Sequence, residues 1–171
     1  MNATPDVLAV HAQAQPDRPA VIADGGAGAP PTVVGFAELN ARVNRLANGL
    51  VAAGARPGER LVWCGPNSLE VLTTIHAARK LGLVAVPLSY RFTAEEMAYV
   101  VDNSDATTVV VDAEQAPLVA EVREGLTKVR DVRVVRRRRA RGVRRLGRAV
   151  RRSLRRGARD PRRRVDARAR R

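Results

Sequence analysis

The sequence predicts an α/β fold built on a parallel, doubly wound sheet, and three observations predict it. Short apolar or β-branched runs occur at Arg60–Cys64, Leu83–Leu88 and Thr107–Val111. Helical patterns of about a dozen residues separate them, the layout of strand-helix-strand units with parallel pairing. Gly58, Gly65 and Gly82 punctuate the boundaries, as turn residues do between regular elements.

In chain order, Asp6 to Ala14 reads as a short helix, ended by Gln15-Pro16-Asp17-Arg18-Pro19, where two prolines remove backbone donors. Ala20 to Ala23 reads as a strand, Gly25 to Pro31 as a loop, and Thr32 to Val34 as a second short strand. From Phe36, Leu39, Val43, Leu46 and Leu50 recur at three and four residues, one apolar face of a helix to about Ala53. Gly54 stops it and Pro57-Gly58 turns the chain. Glu38 and Arg42 lie four apart on the opposite face, a solvated pair.

Arg60 to Cys64 is then a buried strand, and Asn67 with Glu70 three residues on has the spacing of a capping box. The helix it opens runs through Leu72, Ile75 and Leu81 to Gly82. Leu83 to Leu88 reads as a buried strand with Pro87 at its exit, and Thr93-Ala-Glu-Glu96 caps a further helix to about Val101. After the strand at Thr107, Glu114 to Gly125 reads as a helix with Leu118, Val119 and Val122 inward, and Val129 to Val135 starts another strand.

Charge divides the chain. Met1 to Asp131 has 11 Lys+Arg against 15 Asp+Glu, net −4, whereas Val132 to Arg171 has 20 against 2, net +18. The high isoelectric point therefore belongs to the end of the chain and says nothing about what the body binds. Two domains are expected on this basis, a body over 1–131 and an arginine-rich tail over 132–171. The lone Cys64 excludes an internal disulfide framework and suits a reducing cytosol. The N-terminus has no cationic signal-peptide region, and no apolar run approaches the ~18 residues of a membrane span. A cytoplasmic protein is expected.

Motifs for chemistry are scarce. His76 sits among apolar helical neighbours with no second His or Cys at ligand spacing, and His11 lies near the N-terminus; both read as packing or local hydrogen-bonding residues. Cys64 reads as a small buried hydrophobe. The glycine-rich loop before Pro31 lacks G-x-G-x-x-G and a following GK[ST], so it reads as a surface connection. Trp63, Tyr90 and Tyr99 are too scattered for a base-stacking platform.

A series of short motifs in order supplies a resemblance. Asp17-Arg18-Pro19-Ala20 precedes a strand, Phe36-Ala37-Glu38-Leu39 opens a helix, and Asn44-Arg45-Leu46-Ala47-Asn48-Gly49-Leu50 continues it. Gly54 to Arg60 forms a G-x-x-x-G-E-R turn, Asn67-Ser68 precedes a helix, and Gly82-Leu83-Val84-Ala85-Val86-Pro87-Leu88 forms a G-x-V-x-V-P-L strand. Arg91 follows, and a helix ends in Asp102-Asn103-Ser104-Asp105-Ala106. Together they resemble the N-terminal part of the AMP-forming acyl-CoA synthetases, the acyl-adenylating AMP-dependent synthetase/ligase family.

The resemblance implies an incomplete N-terminal subdomain of the adenylating fold. It also implies a chemistry: a carboxylic acid reacts with ATP to give an acyl-adenylate and pyrophosphate, with Mg as cofactor, and the acyl group then passes to coenzyme A as a thioester, releasing AMP. In the family the Ser/Thr/Gly-rich phosphate loop, the ribose-binding acid and the C-terminal lysine follow the matched region. Lys128 is the last lysine here, and no such loop follows Asp131. No catalytic, cofactor-binding or metal-ligating residue is therefore assigned; Arg91 and Asp105 read as salt-bridging or capping residues and Pro87 as structural. These 171 residues alone are expected to be inactive, or completed by a second polypeptide.

Beyond Val135 the chain uses only Arg, Ala, Gly, Val, Leu, Ser, Asp and Pro. Out-of-frame translation of a GC-rich gene produces such a composition. The alternative is a binding element: Val143, Leu146, Val150 and Leu154 fall at helical spacing in a basic segment, suited to nucleic acid or an anionic surface. A disordered, self-repelling tail is the default reading.

Overall fold

The computed structural model describes residues 6–24 and 30–135. The expectations for the Gly25–Pro31 loop, apart from its last two residues, and for the arginine-rich tail beyond Val135 lie outside the described residues. The chain runs α1 (Val7–Ala14), β1 (Pro19–Ala23), β2 (Thr32–Gly35), α2 (Phe36–Ala52), β3 (Arg60–Cys64), α3 (Leu69–Lys80), β4 (Val84–Leu88), α4 (Ala94–Asn103), β5 (Ala106–Asp112), α5 (Ala116–Val122) and β6 (Asp131–Val135). A 3₁₀ turn, Arg123–Gly125, extends α5.

β1 and β2 form an antiparallel ribbon. The other four strands form a parallel sheet in the order β4-β3-β5-β6. Alternate residues of the strands point to opposite faces, as the two-residue period requires. Leu61, Trp63 and Val110 join α2 and α3 in one core; Val62, Cys64, Val109 and Val111 join α4 and α5 in the other. Helices thus cover both faces, which makes the sheet doubly wound.

The strand order explains which helix lies where. From β3 the chain moves one way to β4, then reverses across β3 to β5 and continues to β6. With crossovers of constant hand, reversing direction moves the connecting helix to the opposite face. Accordingly α3 lies in one core, and α4 and α5 lie in the other.

Local chemistry sets several boundaries. Asp6 caps α1, its carboxylate accepting from the Ala9 amide at 3.1 Å. Gly54 and Gly58 both take φ of +84° after α2, a conformation that costs glycine nothing. The Thr93 hydroxyl accepts from the Glu96 amide at 3.3 Å while the Glu96 carboxylate accepts from the Thr93 amide at 2.8 Å, so the capping box of α4 is complete.

Two expectations are corrected, the cap of α3 and the burial of β4. The N-cap of α3 is Ser68, one residue later than Asn67, and it makes no side-chain cap bond. On α3, Leu72 and Ile75 are 38% and 36% exposed, whereas Thr74, Ala77 and Ala78 are buried. Small side chains at those positions let α3 lie close to its neighbours. β4 is an edge strand with Val84 half exposed, and Pro87 lies within it opposite Trp63, which an edge tolerates because the missing donor faces no second partner. The strand expected within Val129–Val135 is present as β6, where Val132–Val135 pair with Val109–Asp112 as part of the sheet.

Candidate functional site

Open α/β sheets present ligands outside the carboxyl ends of their strands, where the strand order reverses. Here that place lies between the ends of β3 and β5, at Cys64–Ser68 and Asp112–Gln115. The two ends meet closely: a Cβ on Gly65 would stand 2.7 Å from the Trp63 ring and 2.8 Å from the Asp112 Cβ. Only glycine fits. Trp63 Nε1 donates to the Gly65 carbonyl at 3.1 Å, fixing both.

The groups at this end are a thiol and carboxylates. Cys64 is buried and donates to the Met97 sulfur at 3.7 Å; burial, and then the charge of Asp112, push its thiol up from its ordinary value. Asp112 is buried, and its carboxylate accepts from the Glu114 amide at 3.0 Å. The Ser68 hydroxyl is the one buried side-chain polar atom without a hydrogen-bond partner among the described residues. The segments Cys64–Ser68 and Asp112–Gln115 carry no lysine or arginine. Such a set does not fit the triphosphate of ATP, since the carboxylates have the same sign of charge, and a thiol with a raised pKa is a poor nucleophile at neutral pH.

The remaining candidates are dispersed. His76 is on α3, and burial followed by the charges of Arg79 and Lys80, against an opposing pull from Asp6, hold its imidazole below the ordinary value. His11 Nδ1 lies 2.9 Å from Gln15 Nε2, with its ring centroid 5.1 Å from that of Phe36. The Arg91 guanidinium lies 5.6 Å from the centroid of the Tyr90 ring and donates to the Tyr90 hydroxyl at 3.3 Å. Asp105 takes a left-handed φ of 53° at the end of α4, and its carboxylate lies 2.8 Å from Lys128 Nζ, which holds its pKa below the ordinary value. No group of three His, Cys, Asp or Glu suited to a metal occurs among the described residues. No helix there is long and apolar enough to cross a membrane.

A groove of about 640 Å³, absent from the sequence reading, lies between α1, α2 and α3. Lys80 is in its lining: its ammonium donates to Asn40 and Asn44 at 2.6 and 2.8 Å and pairs with Asp6 at 2.7 Å. Burial alone would raise the Asp6 pKa, but Lys80 and the Ala9 amide outweigh it and hold the carboxyl low. The groove's signal in the sequence was Leu72, whose helical spacing gives no hint of the side it faces.

Fold and site together define a parallel α/β subdomain whose switch point, among the described residues, carries a buried thiol, the Asp112 and Glu114 carboxylates and the Ser68 hydroxyl. A family model described as AMP-binding enzyme matches residues 8–164, and the chain belongs to that family. A feruloyl-CoA synthase from an Amycolatopsis species is 42% identical over 94 residues, 55% of this chain and 19% of that protein. A 3-hydroxybenzoate–CoA ligase from Aromatoleum is 35% identical over 123 residues, 71% of this chain and 22% of that one. Among solved structures, a Mycobacterium tuberculosis fatty acyl CoA synthetase superposes with a TM-score of 0.67 at 29% identity, covering 75% of this chain and 25% of that one. The chain thus spans about a fifth of the length of the curated relatives it matches.

Proposed function

We propose that this chain is the N-terminal framework of an AMP-forming acid–CoA ligase. In the whole enzyme such a framework supports conversion of a fatty acid or related carboxylate to an acyl-adenylate and then to a CoA thioester, with ATP and coenzyme A as co-substrates and Mg as cofactor. The observation that carries this reading is the pairing of family membership over residues 8–164 with a switch point whose groups do not suit a triphosphate. The three relatives are named for a hydroxycinnamate, a hydroxybenzoate and fatty acids, which supports a carboxylic acid as substrate and no narrower class.

On this reading residues 1–131, with β6, position the strands and helices on which the rest of the domain builds. The 171 residues alone make no adenylate. The phosphate loop belongs to the part of the enzyme that follows the matched region, encoded out of frame after codon 135 or carried by a complementing polypeptide, and the enzyme works in the cytoplasm. The test is a chimera in which residues 6–135 replace the matched segment of the feruloyl-CoA synthase. ATP–pyrophosphate exchange by the chimera supports the framework role; a folded chimera without exchange contradicts it. Translation of the DNA after codon 135 in the other two frames tests whether the tail is out of frame, with a Ser/Thr/Gly-rich phosphate loop the expected result.

The tail supports a second reading, since 20 arginines in residues 132–171 neutralise phosphates without sequence preference. Gel retardation of DNA that vanishes on deleting residues 136–171, and that falls steeply with salt, is the result this reading expects. Retardation unchanged by the deletion contradicts it.

A further inference from the structure

We propose that the groove between α1, α2 and α3 is a binding site for a small amphipathic monocarboxylate, an apolar chain or ring that ends in one carboxylate. The inference goes beyond the framework reading and does not depend on it. At about 640 Å³ the groove falls within the roughly 300–1,000 Å³ of small-molecule sites, which combine apolar walls with a few polar groups. Val7 of α1, Phe36 and Leu39 of α2 and Leu72 of α3 supply the apolar wall. The lining includes neither Cys64–Ser68 nor Asp112–Gln115.

The polar groups of the lining divide into those already satisfied and those still open. Lys80 is bonded to Asn40, Asn44 and Asp6, and Asp6 also accepts from the Ala9 amide. These bonds tie α2 and the start of α1 to α3, so the groove is formed before a ligand arrives. His76 and Arg79 remain. They follow Leu72 by four and seven residues, which places all three on one stripe of α3, and all three line the groove. Neither the His76 ring nor the exposed Arg79 guanidinium makes a hydrogen bond or ion pair among the described residues. Lys80 and Asp6 neutralise each other, which leaves the charge of Arg79 in excess, and its planar fork of donors matches a carboxylate. Burial, and then the charges of Arg79 and Lys80, hold the His76 pKa below its ordinary value, so at neutral pH the imidazole offers a hydrogen bond without a second positive charge. One open cation beside an apolar wall suits a monoanion with an apolar body better than a phosphate ester, which carries about two charges.

The test titrates the purified 171-residue chain with decanoate, below its micelle concentration and at physiological salt, by calorimetry and by nitrogen–proton spectra that include the side-chain amides. A single saturable site is expected, with shifts at the Asn40 and Asn44 amides. Arg79→Gln should weaken binding by roughly ten- to a hundredfold, the range for a hydrogen bond to a charged group, and decanol, which lacks the carboxylate, should bind the parent as weakly. Leu72→Glu sets a like charge in the wall and should weaken decanoate as well. Both residues are exposed, so neither change disturbs the core. Decanoate that binds parent and Arg79→Gln equally has gone to the arginines of residues 132–171 or to bare apolar surface, and overturns the site. Decanol that binds as tightly as decanoate overturns the carboxylate class, as does inorganic phosphate that displaces decanoate at equal concentration. Absence of saturable decanoate binding overturns the proposal and leaves the framework reading untouched.

Discussion

Gly65→Ala should destabilise this fold more than any other single-carbon addition at a glycine near the switch point. The Cβ it adds would lie 2.7 Å from a ring carbon of Trp63, 2.8 Å from the Asp112 Cβ and 3.1 Å from a second ring carbon. Trp63 is 2% exposed and Asp112 1%, so neither can swing into solvent. The ring is further held by its own hydrogen bond to the Gly65 carbonyl. Relief therefore requires the ends of β3 and β5 to part, and overpacking of this kind costs about 1–3 kcal/mol.

Gly125→Ala is the control, because nothing lies within 4 Å of its added Cβ; there the substitution is neutral or stabilises by up to about 1 kcal/mol through the unfolded chain. In urea, with a slope of about 1–3 kcal/mol/M, Gly65→Ala should lower the midpoint by roughly 1 M while Gly125→Ala leaves it or raises it slightly. Equal midpoints for the two variants would refute the close approach of the strand ends at Gly65.

Three further predictions follow from single contacts. Thr93→Ala removes the capping hydroxyl from α4 and should cost about 1 kcal/mol, read by the same urea titration, with Thr93→Ser close to the parent. Glu59 is affected by burial, which raises its pKa, but the Arg56 amide, Arg130 and Thr107 outweigh this and hold it below the ordinary 4.5. A carboxyl depressed in the folded state adds stability above the unfolded pKa and loses it as pH falls through the folded value. Stability should thus decline below about pH 4.5, and Glu59→Gln should flatten that decline in thermal melts between pH 3 and 6, values on the order of the carboxylate range. Cys64, buried with a raised pKa, should react with a disulfide reagent at neutral pH only after denaturation; rapid reaction of the native chain contradicts its placement.

The extent to which sequence spoke depended on whether a feature is local. The capping box at Thr93 and Glu96 is complete within four residues, so spacing alone located it. At α3 the same spacing misled: Asn67 and Glu70 match the pattern, but the helix starts after Ser68, and Glu70 then occupies the second helical position, where it cannot reach back to the cap. The run Leu83–Leu88 reads as buried because its composition is apolar, yet its place at the sheet edge follows from strand order, which no local pattern encodes. Pro87 was the one residue whose chemistry pointed to an edge.

For α3, helical periodicity groups Leu72 with Ile75 but does not say which side the sheet takes. Ala77 and Ala78 decide that through close packing, a property of the neighbours. The switch point could be anticipated from alternating strands and helices, whereas the closure of Gly65 on Asp112 depends on residues 47 positions apart in the chain.

As proposed, these residues form the framework of an acid–CoA ligase and by themselves carry out none of its chemistry. The most direct test is ATP–pyrophosphate exchange by the purified 171-residue chain, with ferulate, 3-hydroxybenzoate and a long-chain fatty acid supplied in turn. Exchange no faster than in the acid-free blank is expected for every acid. Acid-dependent exchange with any of them would contradict the framework proposal.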